Sequence, residues 1–130
     1  MILLDTHVAI WLAVEPSKIS KRATDAISEA RRTGGGLGIA DVTLWEVAML
    51  IDQGRIDVTI PMESFLKEIE ANFIVFPVTS RIASRSMRFA AAYSKDPIDR
   101  LIGATAVIEN FSLITRDEKI RASSEVTTVW

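Results

Sequence analysis

Residues 96–117, DPIDRLIGATAVIENFSLITRD, spell out a helix start, a helix and a strand in that order. Asp96-Pro97 is a strong opening: an Asp side chain accepts from the orphan amides of a first turn, and Pro has no amide to orphan there. The helix it opens reaches Glu109, and Ser112 to Thr115 follow as a short apolar strand. Acids stand at the amino end of that helix (Asp96, Asp99) and one residue beyond that strand (Asp117). In a helix–strand unit those two ends face the same edge of a sheet.

Reading outward, Ile2-Leu3-Leu4 is a buried-strand run ending at Asp5. Residues 7–13 are expected as a short helix and 20–32 as a longer amphipathic one, stopped by the glycines of TGGGLGIAD. Leu37 to Ala40 is the next strand, and a helix from Val42 to Gln53 closes on Gly54. Pro61 begins a helix carrying Phe65, Leu66 and Ile69, Ile74-Val75-Phe76 returns as a strand, and Thr79 caps a helix running to Ala92. Val126 to Val129 complete the strands. Five short apolar strands alternating with helices predict a three-layer α/β/α, Rossmann-like domain. Its central sheet is expected to be mostly parallel and five-stranded, with chemistry beyond the carboxyl ends of the strands. No stretch reads as a linker or a repeat, so residues 1–130 are expected to form a single domain.

Composition narrows the chemistry. The chain has 130 residues, 48% of them hydrophobic, and a formal charge of −2, which excludes intrinsic disorder and any binding of nucleic acid by bulk charge. Without Cys and with one His there is no disulfide, thiolate or His-rich metal site, so a metal would need oxygen ligands. The longest apolar run, Val8 to Val14, falls far short of the ~18 residues of a membrane span and has no basic segment before it. No membrane association is expected, and localisation should be cytoplasmic.

Four elements deliver acids to one predicted edge: Asp5, Glu46, Asp96 with Asp99, and Asp117. At ~5 Å and an effective dielectric of ~20 each charged pair would cost roughly 3 kcal/mol. A divalent cation removes that penalty, and an all-oxygen set suits Mg²⁺ or Mn²⁺, ions that activate water against phosphodiesters. Each acid also has a plainer reading. Asp5, Asp96 and Asp117 could cap helices, Asp99 could merely favour the helix dipole, and Glu46, three residues after Thr43, could close a capping box against which Asp41 competes as the cap.

The segments ILLDTHVAIWLA, DVTLWEVAML and DPIDRLIGATAVIENFSLITRD, in that order and at these separations, resemble the PIN-domain family. Within it the chain looks like the VapC-like toxins of bacterial toxin–antitoxin pairs. The resemblance implies a metal-dependent endoribonuclease whose acids hold Mg²⁺ or Mn²⁺ and activate water. The family's four acids fall on Asp5, Glu46, Asp99 and Asp117, with Asp96 of DPxDR as an additional ligand or a cap. It further implies a homodimer and a cognate VapB-like antitoxin that inserts a segment near the acidic cleft. Ile98 departs from the pattern, standing where Phe is frequent.

For an RNA substrate, Arg100, Arg116 and Lys119 adjoin the acids in sequence, and Thr6 and Thr115 carry hydroxyls beside two of them. Solvated faces, capping and strand packing are the alternatives. His7 reads as structural, Trp11, Trp45 and Met49 as core or interface, Trp130 as open in role, and no base-stacking platform can be named. TGGGLG matches no phosphate-loop pattern and reads as a turn. Two rivals remain. A phosphatase of the haloacid-dehalogenase type, like a receiver domain, wants a second acid close after the first strand, where His7 stands instead. A non-catalytic scaffold has no reason to gather repelling carboxylates.

Overall fold

The computed structural model describes all 130 residues. At its centre Ile2–Leu4 (β1) pairs in parallel with Leu37–Ala40 (β2) on one side and Ser112–Ile114 (β4) on the other. Ile74–Phe76 (β3) extends the β2 side and Thr128–Val129 (β5) the β4 side, giving the order β3-β2-β1-β4-β5. Every pairing is parallel, so the sheet is wholly rather than mostly parallel. The chain first winds outward from β1 to β2 and β3, then resumes on the other flank of β1 with β4 and β5. The switch in direction therefore falls between β1 and β4, where an open parallel sheet leaves a crevice beyond its strand ends.

The helices are Thr6–Val14 (α1), Lys21–Arg32 (α2), Asp41–Asp52 (α3), Met62–Asn72 (α4), Ser80–Ser86 (α5), Pro97–Glu109 (α6) and Glu118–Arg121 (α7). Side chains of successive strand residues point to opposite faces. Leu4, Ile39 and Ile114 accordingly join a cluster with Val8, Ile27, Val47 and Ile69 from α1 to α4. Leu3, Ala40 and Leu113 join another with Ile102, Ala106 and Ile120 from α6 and α7. Leu3, Leu4, Ile39, Leu113 and Ile114 have no exposed surface, as expected for strands covered on both faces.

Two elements are markedly shorter than the sequence reading. The helix capped by Thr79 stops at Ser86 instead of Ala92. Beyond it the backbone finds partners elsewhere: Arg85 donates to the Arg88 carbonyl at 2.6 Å, and the Ala90 amide donates to Glu125 at 3.0 Å. The freed segment stacks Phe89 on Tyr93, with ring centroids 4.0 Å apart. The last strand spans two residues where four were expected, and Asp117 opens the short α7, the helical turn that was its plainer reading.

Gly103 on α6 makes room for that segment. A Cβ there would run into the phenol oxygen of Tyr93, a side chain only 2% exposed. Gly103→Ala should lower stability in denaturant by about 1–3 kcal/mol. Adding Tyr93→Phe, which removes the obstructing oxygen, should recover part of that loss; no recovery would mean the clash lies elsewhere.

Candidate active site

Asp5 is the first residue beyond β1, and the register that places Leu4 opposite Ile114 sets it beside Thr115. Its amide donates to the Ile114 carbonyl at 3.0 Å. Its carboxylate takes the Thr6 amide on Oδ1 (2.9 Å) and the Thr115 hydroxyl on Oδ2 (2.7 Å). Asp5 is 9% exposed, and burial pushes its carboxyl above the ordinary range against the opposing pull of those two donors.

Around it lies a cavity of about 550 Å³, lined by six carboxylates (Asp5, Glu46, Asp96, Asp99, Asp117, Glu118) together with His7, Trp11, Met49, Leu50, Arg55 and Arg116. All the acids named from the sequence thus meet in one place. Glu46 projects from α3, and burial raises its pKa, the neighbouring Asp5 and Asp96 adding to the shift. The Thr6 hydroxyl offsets it and also lies 3.0 Å from that of Thr43. With Thr43 as donor in that pair, the Thr6 proton is free to turn to Glu46. Asp99, on the first turn of α6, is pushed up to about 7, first by burial and then by Asp5, Asp96 and Asp117.

The capping alternatives divide. Asp5, Asp96 and Asp117 do cap α1, α6 and α7, each accepting with one oxygen. A cap occupies one carboxylate oxygen, so Asp96 and Asp117 keep a second one, and capping does not compete with a role in the cavity. The capping box does not form, because Thr43 lies inside α3 and the cap position is Ala40. Asp41 is the first helical residue and not the cap; it accepts instead from the Val78 amide at 3.1 Å.

Residues 2–125 match the PIN domain family. The chain belongs to that family. It is 34% identical to Ribonuclease VapC22 of Mycobacterium tuberculosis (strain ATCC 25618 / H37Rv) over 131 residues, 99% of this chain and 98% of that protein. Among solved structures it superimposes on VapBC2 from Rickettsia felis bound to a DNA fragment from their promoter, with a TM-score of 0.72 and 14% identity over 98% and 97% of the two chains. A toxin–antitoxin complex from Klebsiella pneumoniae gives 0.66 and 22% over the same shares. FitAcB from Neisseria gonorrhoeae gives 0.64 and 18% over 98% and 96%.

In this PIN domain the candidate substrate residues scatter. Arg116 lines the cavity, whereas Arg100 faces a groove with Met87 and Lys95, and Lys119 another with Tyr93 and Glu125. Thr6 and Thr115 are fully buried, and the Thr6 amide and the Thr115 hydroxyl donate to Asp5 from within.

Ser94 escaped the sequence reading. It is 7% exposed and donates to Asp99 Oδ2 at 2.6 Å while accepting the Asp96 amide at 3.3 Å. Thr115 does the same for Asp5, accepting the Asp117 amide at 3.1 Å. In both cases a hydroxyl is held by the amide two residues on, so its single proton points at one oxygen of a cavity acid. Such a hydroxyl two residues before an acid was the available signal, but Ser–x–Asp is too common to single out. Arg55, just past the helix-closing Gly54, carried no signal at all.

The raised carboxyls tie stability to pH. An acid whose folded pKa of about 7 exceeds its ordinary 3.8 favours the folded state fully at low pH and loses that contribution as pH rises through 4 to 7. Metal-free protein should therefore melt lower at pH 8 than at pH 5. Asp99→Asn should melt roughly 5 °C higher than wild type at pH 8 in EDTA and flatten the dependence. An unchanged profile would assign the repulsion to other groups.

Proposed function

We propose that this chain is a metal-dependent endoribonuclease, a single PIN domain acting as the toxin of a toxin–antitoxin pair. The observation that carries the reading is the meeting of Asp5, Glu46, Asp99 and Asp117 in one cavity at the β1/β4 switch, the first three with pKa values raised by burial and all four fed from different elements. The 34% identity to a ribonuclease supports the activity, and the toxin–antitoxin complexes among its structural neighbours support a VapB-like antitoxin partner. Self-association as a homodimer and a cytoplasmic setting complete the proposal; no helix is long and apolar enough to cross a membrane.

The donors fit a hard divalent ion. The candidate donors are all carboxylate oxygens, the ligand type that Mg²⁺ and Mn²⁺ take. Asp5, Glu46, Asp99 and Asp117 would hold Mg²⁺ or Mn²⁺, with Asp96 in support. The ion would supply activation of water and neutralisation of charge on the phosphodiester as a P–O ester bond is exchanged for a bond to water oxygen. The protein's own share is orientation. Thr115 and Ser94 anchor one oxygen of Asp5 and of Asp99, and Ser94 leaves Asp99 Oδ1 to the cavity. Because Asp99 retains its proton up to about pH 7 without the ion, metal binding must displace that proton and tightens as pH rises.

The test is cleavage of a mixed cellular RNA pool by purified protein with Mg²⁺ or Mn²⁺. Discrete cuts should appear, and should vanish in EDTA and in Asp5→Asn, Glu46→Gln, Asp99→Asn and Asp117→Asn while folding persists. Ser94→Ala should lower metal affinity or rate by about 10- to 100-fold, with Ser94→Thr restoring most of it. Absence of both cleavage and calorimetric metal binding would overturn the nuclease and favour a scaffold.

A further inference from the structure

Arg116 presents a puzzle. It lines a cavity with six carboxylates, yet it takes part in none of the ion pairs of the structure. Its guanidinium instead lies over the ring of Trp11, 5.8 Å from the centroid. The ammonium of Lys18 lies 5.9 Å from the same ring. Trp11 in turn stands in a row of aromatics: His7 at 5.9 Å and Trp130 at 6.0 Å, both tilted by 52°. His7 and Trp11 sit one helical turn apart on α1 and both line the cavity, starting two residues from Asp5. His7 is exposed and Trp11 and Trp130 are half-buried, so the row opens on solvent from the acidic centre outward.

A strand of RNA needs two things at such a rim. Its phosphates need positive charge that the acids have not already neutralised, and its bases, once unstacked, need flat apolar faces. Arg116 supplies the first and the His7–Trp11 pair the second, side by side and against the reacting centre. A structural role alone would explain Trp11, which packs partly against the α1–α4 core cluster, but not an exposed His7 and an unpaired guanidinium that line the same cavity beside it.

We infer that His7, Trp11 and Arg116 form a subsite for the nucleotide next to the scissile phosphate, its base packing against the exposed His7 ring where Trp11 backs it and its phosphate taken by Arg116. The inference rests on the ribonuclease reading above and deepens it by saying which wall of the cavity receives the strand. No stacking platform could be named from the sequence: His7 and Trp11 are one turn apart on α1, and the return of the chain through β5 is what brings Trp130 to Trp11.

The test measures binding, apart from cleavage, of a short fluorescein-labelled single-stranded RNA of mixed sequence. Asp99→Asn protein with Mg²⁺ serves as the uncut background, followed by anisotropy across a salt series. His7→Ala and Trp11→Leu should each weaken binding roughly ten-fold without altering the salt dependence, and Trp11→Phe should retain most of it. Arg116→Gln should reduce the slope of log affinity against log salt by about 0.7, the signature of one lost phosphate contact. Trp45→Leu, a change at a tryptophan 59% exposed on α3 and outside the cavity lining, should leave both quantities alone. Should Trp11→Leu melt early, His7→Ala and Trp11→Phe decide in its place. Wild-type affinity in His7→Ala and in a folded Trp11→Leu, or an equal loss in Trp45→Leu, would overturn the subsite while leaving a cleaving wild-type enzyme intact. A wild type that neither binds nor cuts RNA would overturn the nuclease and the subsite together.

Discussion

The hydrogen bond from Thr115 to Asp5 joins the ends of two adjacent parallel strands, and much of the site depends on the register that makes it. One residue of slip between β1 and β4 would turn Leu4 and Ile114 out of their core cluster and carry Asp5 away from the hydroxyl. Because the strands are buried on both faces, that slip is strongly disfavoured, and the carboxylate is held where its own desolvation and, to a lesser extent, Asp117 oppose its charge. Core packing thus stabilises an arrangement that the acids alone would push apart.

Around that point the polar groups are arranged economically. Each capping acid lends one oxygen to a helix amide, and the two hydroxyls of Ser94 and Thr115 are each pinned by a backbone amide so that their protons are aimed. A hydroxyl that accepts from one side and donates to the other restricts the rotation of a carboxylate without adding charge. The segment carrying Ser94 has no regular structure. It is fastened by Phe89 on Tyr93, by Arg85 over Phe89 at 4.3 Å, and by the Arg85–Glu125 ion pair at 3.0 Å. Half-buried ends make that pair less screened than the exposed pairs elsewhere on the helices.

Charge is sorted as well as gathered. The chain is slightly acidic overall, and its acids dominate the cavity, so any positive potential beside it has to be local. Arg116 and Lys18 over the Trp11 ring place it at one rim, with an aromatic surface beneath.

Much of this was legible in the residues themselves. Short continuous apolar runs, punctuated by Asp-Pro, Gly54 and the TGGG turn, determine the order of elements, and a parallel sheet follows because strand and helix alternate. The same order points Asp5, Asp99 and Asp117 to one edge, since Asp5 and Asp117 follow strands and Asp99 sits on the first turn of α6, while Glu46 reaches it from the middle of the helix after β2. Tertiary structure alone decided that the helix after Thr79 stops at Ser86, that Ser94 serves Asp99, that Thr6 and Thr115 are interior rather than substrate-facing, and that Trp11 meets Trp130 beside an unpaired Arg116. Periodicity reports which face of an element is buried; which oxygen of a carboxylate is free, or which ring faces which cation, depends on partners up to 119 positions away in the chain, and no local pattern encodes them.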